Sequence, residues 1–222
     1  MPNLKEEKKL WTPTQLLSSH LQDSKQTSMS YKRVAGLDET GRGSLAGPVM
    51  AAAVMINQRT FLQRRNVLLN IKDSKQLTPK KREEFYKILT KNPKIEWQIA
   101  RVSEKVIDKI NILQATKLAM KKAVNRLKKK PNFLILDGKM KLDLKTPQKS
   151  IIKADTKVFS CAIASIIAKV TRDRIMQKYH KKYPLYGFDK HKGYLTKLHR
   201  KMLKKYGPCE IHRKSFRPIK DR

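Results

Sequence analysis

The chain has 222 residues and sets 52 Lys and Arg against 18 Asp and Glu, a formal charge of +34. A surface this unbalanced repels itself and attracts polyanions, so nucleic acid is the expected partner. The longest apolar run, Val49 to Ile56, falls short of the roughly 18 residues a membrane span needs, and the first twenty residues lack the apolar core of a signal peptide. Cys161 and Cys209 form neither a disulfide framework nor a Cys/His cluster of zinc type. The chain therefore reads as a soluble, cytoplasmic protein, with one domain and an appendage.

Residues 1–30 mix Lys and Glu with Leu10, Trp11, Leu16, Leu17 and Leu21, then turn polar from Gln22 to Ser28, which predicts a short helix and a linker. Val34–Leu37 and Val49–Ile56 have the spacing of neighbouring strands across a Gly-rich connection. Thr78-Pro79 places a capping hydroxyl before a proline at the first helical position and opens a helix through Thr90. Trp97–Val102 reads as a third strand. Asn111 caps a helix whose apolar face carries Leu113, Ala115, Leu118, Ala119, Val124 and Leu127. Phe133–Leu136 is apolar throughout, hence a central strand, and ends at Asp137-Gly138. Lys149–Lys153 is a short fifth strand. Val158, Ala162, Ile163, Ile166, Ile167 and Val170 mark a long helix running to about Lys181, with Pro184 and Gly187 beyond it. His191–Tyr206 predicts one or two basic helices, followed by a loosely structured tail. Strands interleave with helices, so the class is α/β.

Acids are scarce here, and several sit where apolar elements end. Asp38 and Glu39 follow the first strand, and Asp137 follows the apolar strand. Asp173 falls seven residues after Ile166 on the long helix and continues its buried face. Carboxylates gathered at strand ends would repel one another unless cations neutralised them, and an all-oxygen ligand set suits Mg²⁺ or Mn²⁺. Two such ions roughly 3.5–4 Å apart can clamp a phosphodiester. Each acid also has an ordinary explanation: Asp38-Glu39 could cap a helix, Asp137-Gly138 is a common turn, and Asp173 could pair with Lys169 four residues earlier.

The blocks Gly36-Leu37-Asp38-Glu39-Thr40-Gly41-Arg42-Gly43-Ser44-Leu45-Ala46-Gly47-Pro48-Val49, Lys72-Asp73-Ser74-Lys75-Gln76-Leu77, Leu136-Asp137-Gly138, Ala164–Arg174 and Tyr183-Pro184 through Gly193-Tyr194-Leu195-Thr196 occur in the order found in the type 2 ribonucleases H. The chain resembles the bacterial ribonuclease HII group over about residues 32–218. The resemblance implies a ribonuclease H-like fold, a mixed central sheet flanked by helices. Residues 1–30 would be an N-terminal extension, 31–183 the catalytic core, and 184–222 a helical portion closing over substrate. It further implies an endoribonuclease that hydrolyses the RNA strand of RNA/DNA hybrids and nicks 5′ of ribonucleotides embedded in duplex DNA, leaving 3′-hydroxyl and 5′-phosphate ends. The four metal-site acids map onto Asp38, Glu39, Asp137 and Asp173, holding Mg²⁺ or Mn²⁺, two ions with substrate bound. Gly41, Arg42 and Gly43 would meet the 2′-hydroxyl and adjacent phosphate, Tyr194 would stack on the following sugar, and Lys75 would contact a phosphate. Ala154-Asp155 stands where Gly-Asp is commoner and takes no ligand role in this mapping. A monomer is expected. The competing reading, a noncatalytic basic RNA-binding protein, explains the charge and leaves the placed acids unexplained.

Overall fold

Val34–Thr40 (β1) is the middle strand of a five-stranded sheet ordered β3-β2-β1-β4-β5. The computed structural model describes residues 3, 5–11, 31–56 and 77–221, so the linker expected within 12–30 and the block containing Lys75 lie outside the described residues. β1 pairs antiparallel with Val49–Ile56 (β2), and β2 pairs antiparallel with Ile95–Val102 (β3). On its other side β1 runs parallel to Phe133–Asp137 (β4), which runs parallel to Gln148–Ile151 (β5). The sheet is mixed, as the resemblance implied.

Helices cover both faces, which is why β2 can be apolar at all eight positions. Side chains alternate across the sheet. Val34, Ala52, Val54, Phe133 and Ile135 face Phe159–Lys182 (α5) and Pro79–Lys91 (α2). Ala35, Leu37, Ala51, Ala53, Leu134 and Leu136 face Glu104–Arg126 (α3). At Gly36 the approach is closest: a Cβ there would lie 2.4 Å from the Ser160 hydroxyl oxygen and 2.6 Å from the Cys161 amide nitrogen, so α5 rests directly on β1.

Local signals place most helix ends. The Thr78 hydroxyl accepts from the Lys81 amide at 3.3 Å, with Pro79 opening α2. The Asn111 side-chain oxygen accepts from the amides of Leu113 and Gln114 at 3.0 and 3.1 Å, as its cap role predicts. α3 nevertheless begins earlier, at Glu104, and passes through a kink at Asn111, whose φ is 64°. The extra turns are held by Ile107, buried against the sheet, with Val106 and Ile110 packed beside it. The fifth strand ends at Ile151, because Lys153 takes a left-handed conformation (φ 56°) that opens the short helix Ala154–Lys157 (α4).

The expected N-terminal helix is Lys5–Trp11 (α1), and it is docked. Asn3 exchanges backbone hydrogen bonds with Lys157 (3.0 Å) and Phe159 (3.1 Å), and Glu7 is buried, accepting from the Ser160 amide (2.9 Å) and hydroxyl (2.7 Å) at the start of α5.

After α5 come a 3-10 turn at Pro184–Tyr186 and two helices, Phe188–His191 (α6) and Lys197–Tyr206 (α7). The expectation of a loose tail is corrected: Ile211 and Ile219 are buried in a cluster with Leu45, Ala46, Met176 and Phe188, His212 and Arg213 are buried too, and Asp108 accepts from the amides of Lys214 and Ser215, both at 2.9 Å. The tail is short in regular structure, so pattern reading had nothing periodic to find; side-chain anchors order it.

Candidate active site

The parallel pairing of β1 with β4 sets Leu37 opposite Leu136, so the next residues, Asp38 and Asp137, emerge side by side at the carboxyl ends of adjacent strands. Asp137 pairs with Ile151 in β5, and its carboxylate accepts a hydrogen bond from the Ala154 amide at 2.6 Å. That bond seats α4 against the strand ends and brings in Asp155, which is fully buried. Asp38, Asp137 and Asp155 each offer a carboxylate oxygen within 4.8 Å of the others. Among the described residues this is the one group of metal-capable side chains so gathered.

Asp38 is 4 % exposed and accepts from the Glu39 amide at 2.7 Å. Burial, then the charges of Glu39 and Asp137, push its carboxyl well above the usual range; the Ser165 hydroxyl and the Glu39 amide offset only part of this. Burial likewise raises Glu39, although the Arg42 guanidinium, 3.2 Å from its carboxylate, opposes the shift. The cluster is thus an acid-rich pocket whose oxygens form a hard donor set. A hard divalent cation fits that set.

The carboxylates open into a cleft of about 280 Å³. Asp38, Glu39 and Asp137 form one part of its wall, Gly41, Arg42 and Gly43 another, and Tyr194 a third. Gly41 has φ 88°, and a Cβ on it would lie 2.2 Å from Arg172 Nε, so only glycine turns there. Tyr194 joins this turn through a backbone bridge to Ser44 and is 36 % exposed. Burial favours a raised phenol pKa, but Arg172 and Lys169, with the Thr40 and Ser44 hydroxyls, more than offset it and hold the phenol below its usual value. The Lys169 ammonium and the Arg172 guanidinium lie 5.7 and 5.5 Å from the centre of its ring.

Asp173 stands apart from the gathered carboxylates. It accepts from Lys169 at 2.7 Å, one helical turn earlier, which is the ordinary helix pair its spacing also allowed. Lys75 lies outside the described residues. Sequence reasoning passed over Asp155, Ser165, Lys169 and Arg82, the last three lining the cleft. Ser165, Lys169 and Arg172 recur at four- and three-residue intervals, and Ser165 and Lys169 interrupt the apolar stretch Ala162–Val170, a spacing that puts the three on one face of the helix. Asp155 had a weaker signal: an acid just beyond a strand parallel to the one ending in Asp137.

The mixed sheet and the acids at the ends of the adjacent parallel strands β1 and β4 place the chain with the ribonuclease H class of nucleases, as the solved structures it resembles show. Solved structures agree in fold. The ribonuclease H2 of Pyrococcus horikoshii OT3 matches with TM-score 0.70 and 29 % identity, covering 85 % of this chain and 96 % of that one. The ribonuclease HII of Archaeoglobus fulgidus, solved in a complex with PCNA, matches with TM-score 0.67 and 26 % identity over 82 % and 93 % of the two chains. Residues 35–219 match the sequence profile of the family Ribonuclease HII. Ribonuclease HII of Chlamydia trachomatis serovar A is 51 % identical over 191 residues, 86 % of this chain and 85 % of the relative, and that of Caldicellulosiruptor bescii is 49 % identical over 194 residues, 87 % and 91 % of the two. The chain belongs to the ribonuclease HII family and is a ribonuclease H endoribonuclease. The noncatalytic RNA-binding reading is thereby set aside. No helix among the described residues is long and apolar enough to cross a membrane.

Proposed function

We propose that this enzyme hydrolyses the RNA strand of RNA/DNA hybrids and nicks on the 5′ side of ribonucleotides embedded in duplex DNA, acting as a cytoplasmic monomer whose partner is the duplex itself. The observation that carries this is the sharing of one cleft by the acid cluster, the Gly41-Arg42-Gly43 turn and Tyr194.

The ligand set we assign is Asp38, Glu39, Asp137 and Asp155, with Asp155 in the place the resemblance had given to Asp173. Asp38, Asp137 and Asp155 already gather, and Glu39 would turn from Arg42 toward the cation. Bound Mg²⁺ or Mn²⁺, two ions with substrate present, would neutralise phosphate charge and supply Lewis acidity at the scissile group.

The remaining residues select and place the strand. The amides of the turn are suited to the 2′-hydroxyl, the feature that separates RNA from DNA at a single nucleotide. Arg42 would exchange Glu39 for the adjacent phosphate, freeing the carboxylate as substrate arrives. The half-exposed Tyr194 ring, backed by two cations, offers a flat surface for the next sugar, where a deoxynucleotide lacking the 2′-hydroxyl packs closest. Lys169 faces the same cleft and adds positive charge beside the phosphate path. In keeping with the sequence mapping, Lys75 is assigned a phosphate contact.

The test is a duplex with one ribonucleotide, offered alongside an RNA/DNA hybrid and an all-DNA duplex, with and without Mg²⁺ or Mn²⁺. Metal-dependent nicking 5′ of the ribonucleotide is expected. Efficient cutting of all-DNA duplex, or full activity in Asp155→Asn, would overturn the assignment.

A further inference from the structure

Two arginines are almost wholly buried beside the cleft, yet among the described residues neither has a carboxylate within ion-pair distance. Arg172 and Arg213 are both 0 % exposed. Arg172 donates to the carbonyls of Pro48 (2.9 Å), Ala46 (3.1 Å) and Lys192 (3.0 Å). Arg213 donates to those of Gly41 (2.6 Å), Arg42 (2.8 Å) and Gly47 (3.0 and 2.9 Å). A buried cation is costly unless fully hydrogen-bonded. Here backbone carbonyls of one turn carry most of that compensation.

The consequence for the turn follows from peptide geometry. In a trans peptide the C=O and the N–H of the next residue point in opposite directions. With the carbonyls of Gly41 and Arg42 drawn inward to Arg213, the amides of Arg42 and Gly43 are turned outward, on a segment that lines the cleft. Arg172 ties the second recognition element to the first: it holds Ala46 and Pro48 at one side and Lys192, two residues before Tyr194, at the other, with its guanidinium 5.5 Å from the Tyr194 ring centre.

We propose that Arg213 and Arg172 are positioning residues for ribose selectivity, which fix the amide face of the Gly41–Gly43 turn, and its distance from Tyr194, through the turn's carbonyl oxygens. This rests on the reading that the turn meets the ribonucleotide sugar. It also gives a role to the C-terminal block His212–Phe216, which reaches back across the molecule to the turn; the Phe216 ring lies against the Arg213 guanidinium at 5.0 Å.

The experiment compares the full chain with Arg213→Lys, which keeps the charge and loses the planar fork. Affinity for a single-ribonucleotide duplex and for the matching all-DNA duplex is measured for each protein, below its own melting temperature and with Ca²⁺ in place of the activating metal. The wild type should prefer the ribonucleotide duplex, and the ratio of affinities should fall about tenfold in Arg213→Lys while all-DNA binding stays within about twofold. Arg172→Lys should lower the same ratio. A folded Arg213→Lys with an unaltered ratio overturns the proposal, since a purely structural role would leave selectivity intact. If neither lysine variant folds, Phe216→Leu is read in the same assay, and an unaltered ratio there overturns it. A wild-type enzyme with no preference for the ribonucleotide duplex would instead refute the underlying reading of the turn.

Discussion

Asp137 accepts a hydrogen bond from the Ala154 amide at 2.6 Å, and that contact brings the following residue, Asp155, into the acid cluster. Asp155→Asn is therefore expected to lower cleavage by about a hundredfold or more and to weaken Mn²⁺ binding, whereas Asp173→Asn should lose only its helix pair with Lys169, about 0.5 kcal/mol of stability. Cleavage rates and Mn²⁺ titration calorimetry on both variants check the contrast. Comparable damage from both changes would return Asp173 to the site.

The raised Asp38 carboxyl has two measurable effects. A carboxylate binds metal in its ionised form, so protons compete, and apparent Mg²⁺ affinity should rise with pH until Asp38 is fully ionised. In metal-free protein the folded-state pKa lies above the unfolded one. The carboxyl's contribution to stability is thus fully present below its unfolded pKa and is lost as pH rises through the folded value. Asp38→Asn should remove this cost, raising the melting temperature of metal-free protein at pH 7 by a few degrees while abolishing cleavage. Mg²⁺ titrations across pH read the first effect, and melting curves of wild type and Asp38→Asn in EDTA read the second.

A chain of buried histidines predicts the opposite slope. His199 and His212 approach at 3.0 Å through their Nε2 atoms. The Tyr194 carbonyl lies 3.0 Å from His199 Nδ1, and the Cys209 amide donates to His212 Nδ1 at 2.9 Å; together these assign neutral rings, with His212 donating to His199. Burial first, and neighbouring histidines, lower both pKa values to about 4. The stability they confer is present above the unfolded value of about 6.5 and is lost as pH falls toward 4, on the order of 2 kcal/mol or more for the pair. Thermal melts from pH 7 to 4.5 should show this loss, and it should shrink in His199→Gln/His212→Gln.

The N-terminal helix is predicted to contribute to the stability of the core. Glu7 caps α5 through Ser160, directly behind Gly36 on β1. Glu7→Ala should cost about 1–2 kcal/mol, a fall of a few degrees in melting temperature, and Glu7→Gln, which keeps the acceptor, much less. Equal melting temperatures for the three proteins would show that the contact carries no stability.

Strands, helix caps and the first two acid positions were legible locally. Phe133–Leu136 is apolar because both faces of β4 are covered, and Asn111 caps because its short side chain reaches two amides beyond it. Asp38 and Asp137 could be paired on paper because both end apolar strands. Asp155 could not, since its four-residue helix has no periodicity, and Asp173 continued an apolar face while its carboxylate reached Lys169 instead of the cluster. Arg172 and Arg213 read as two more cations among 52 Lys and Arg.

By itself the sequence determined the α/β class, the strongly basic charge that favours a polyanion, the first strand with its carboxylates and, through its motifs, the family. These rest on interactions between near neighbours in the chain or on total charge, and both can be counted along a string of residues. The tertiary structure decided which carboxylates meet, that the C-terminal block folds back to hold the Gly41–Pro48 turn, and that the N-terminal helix caps α5. Each of those depends on contacts across more than a hundred residues in some cases, such as Arg213 to Gly41, set by how strands order in the sheet and not by any local preference.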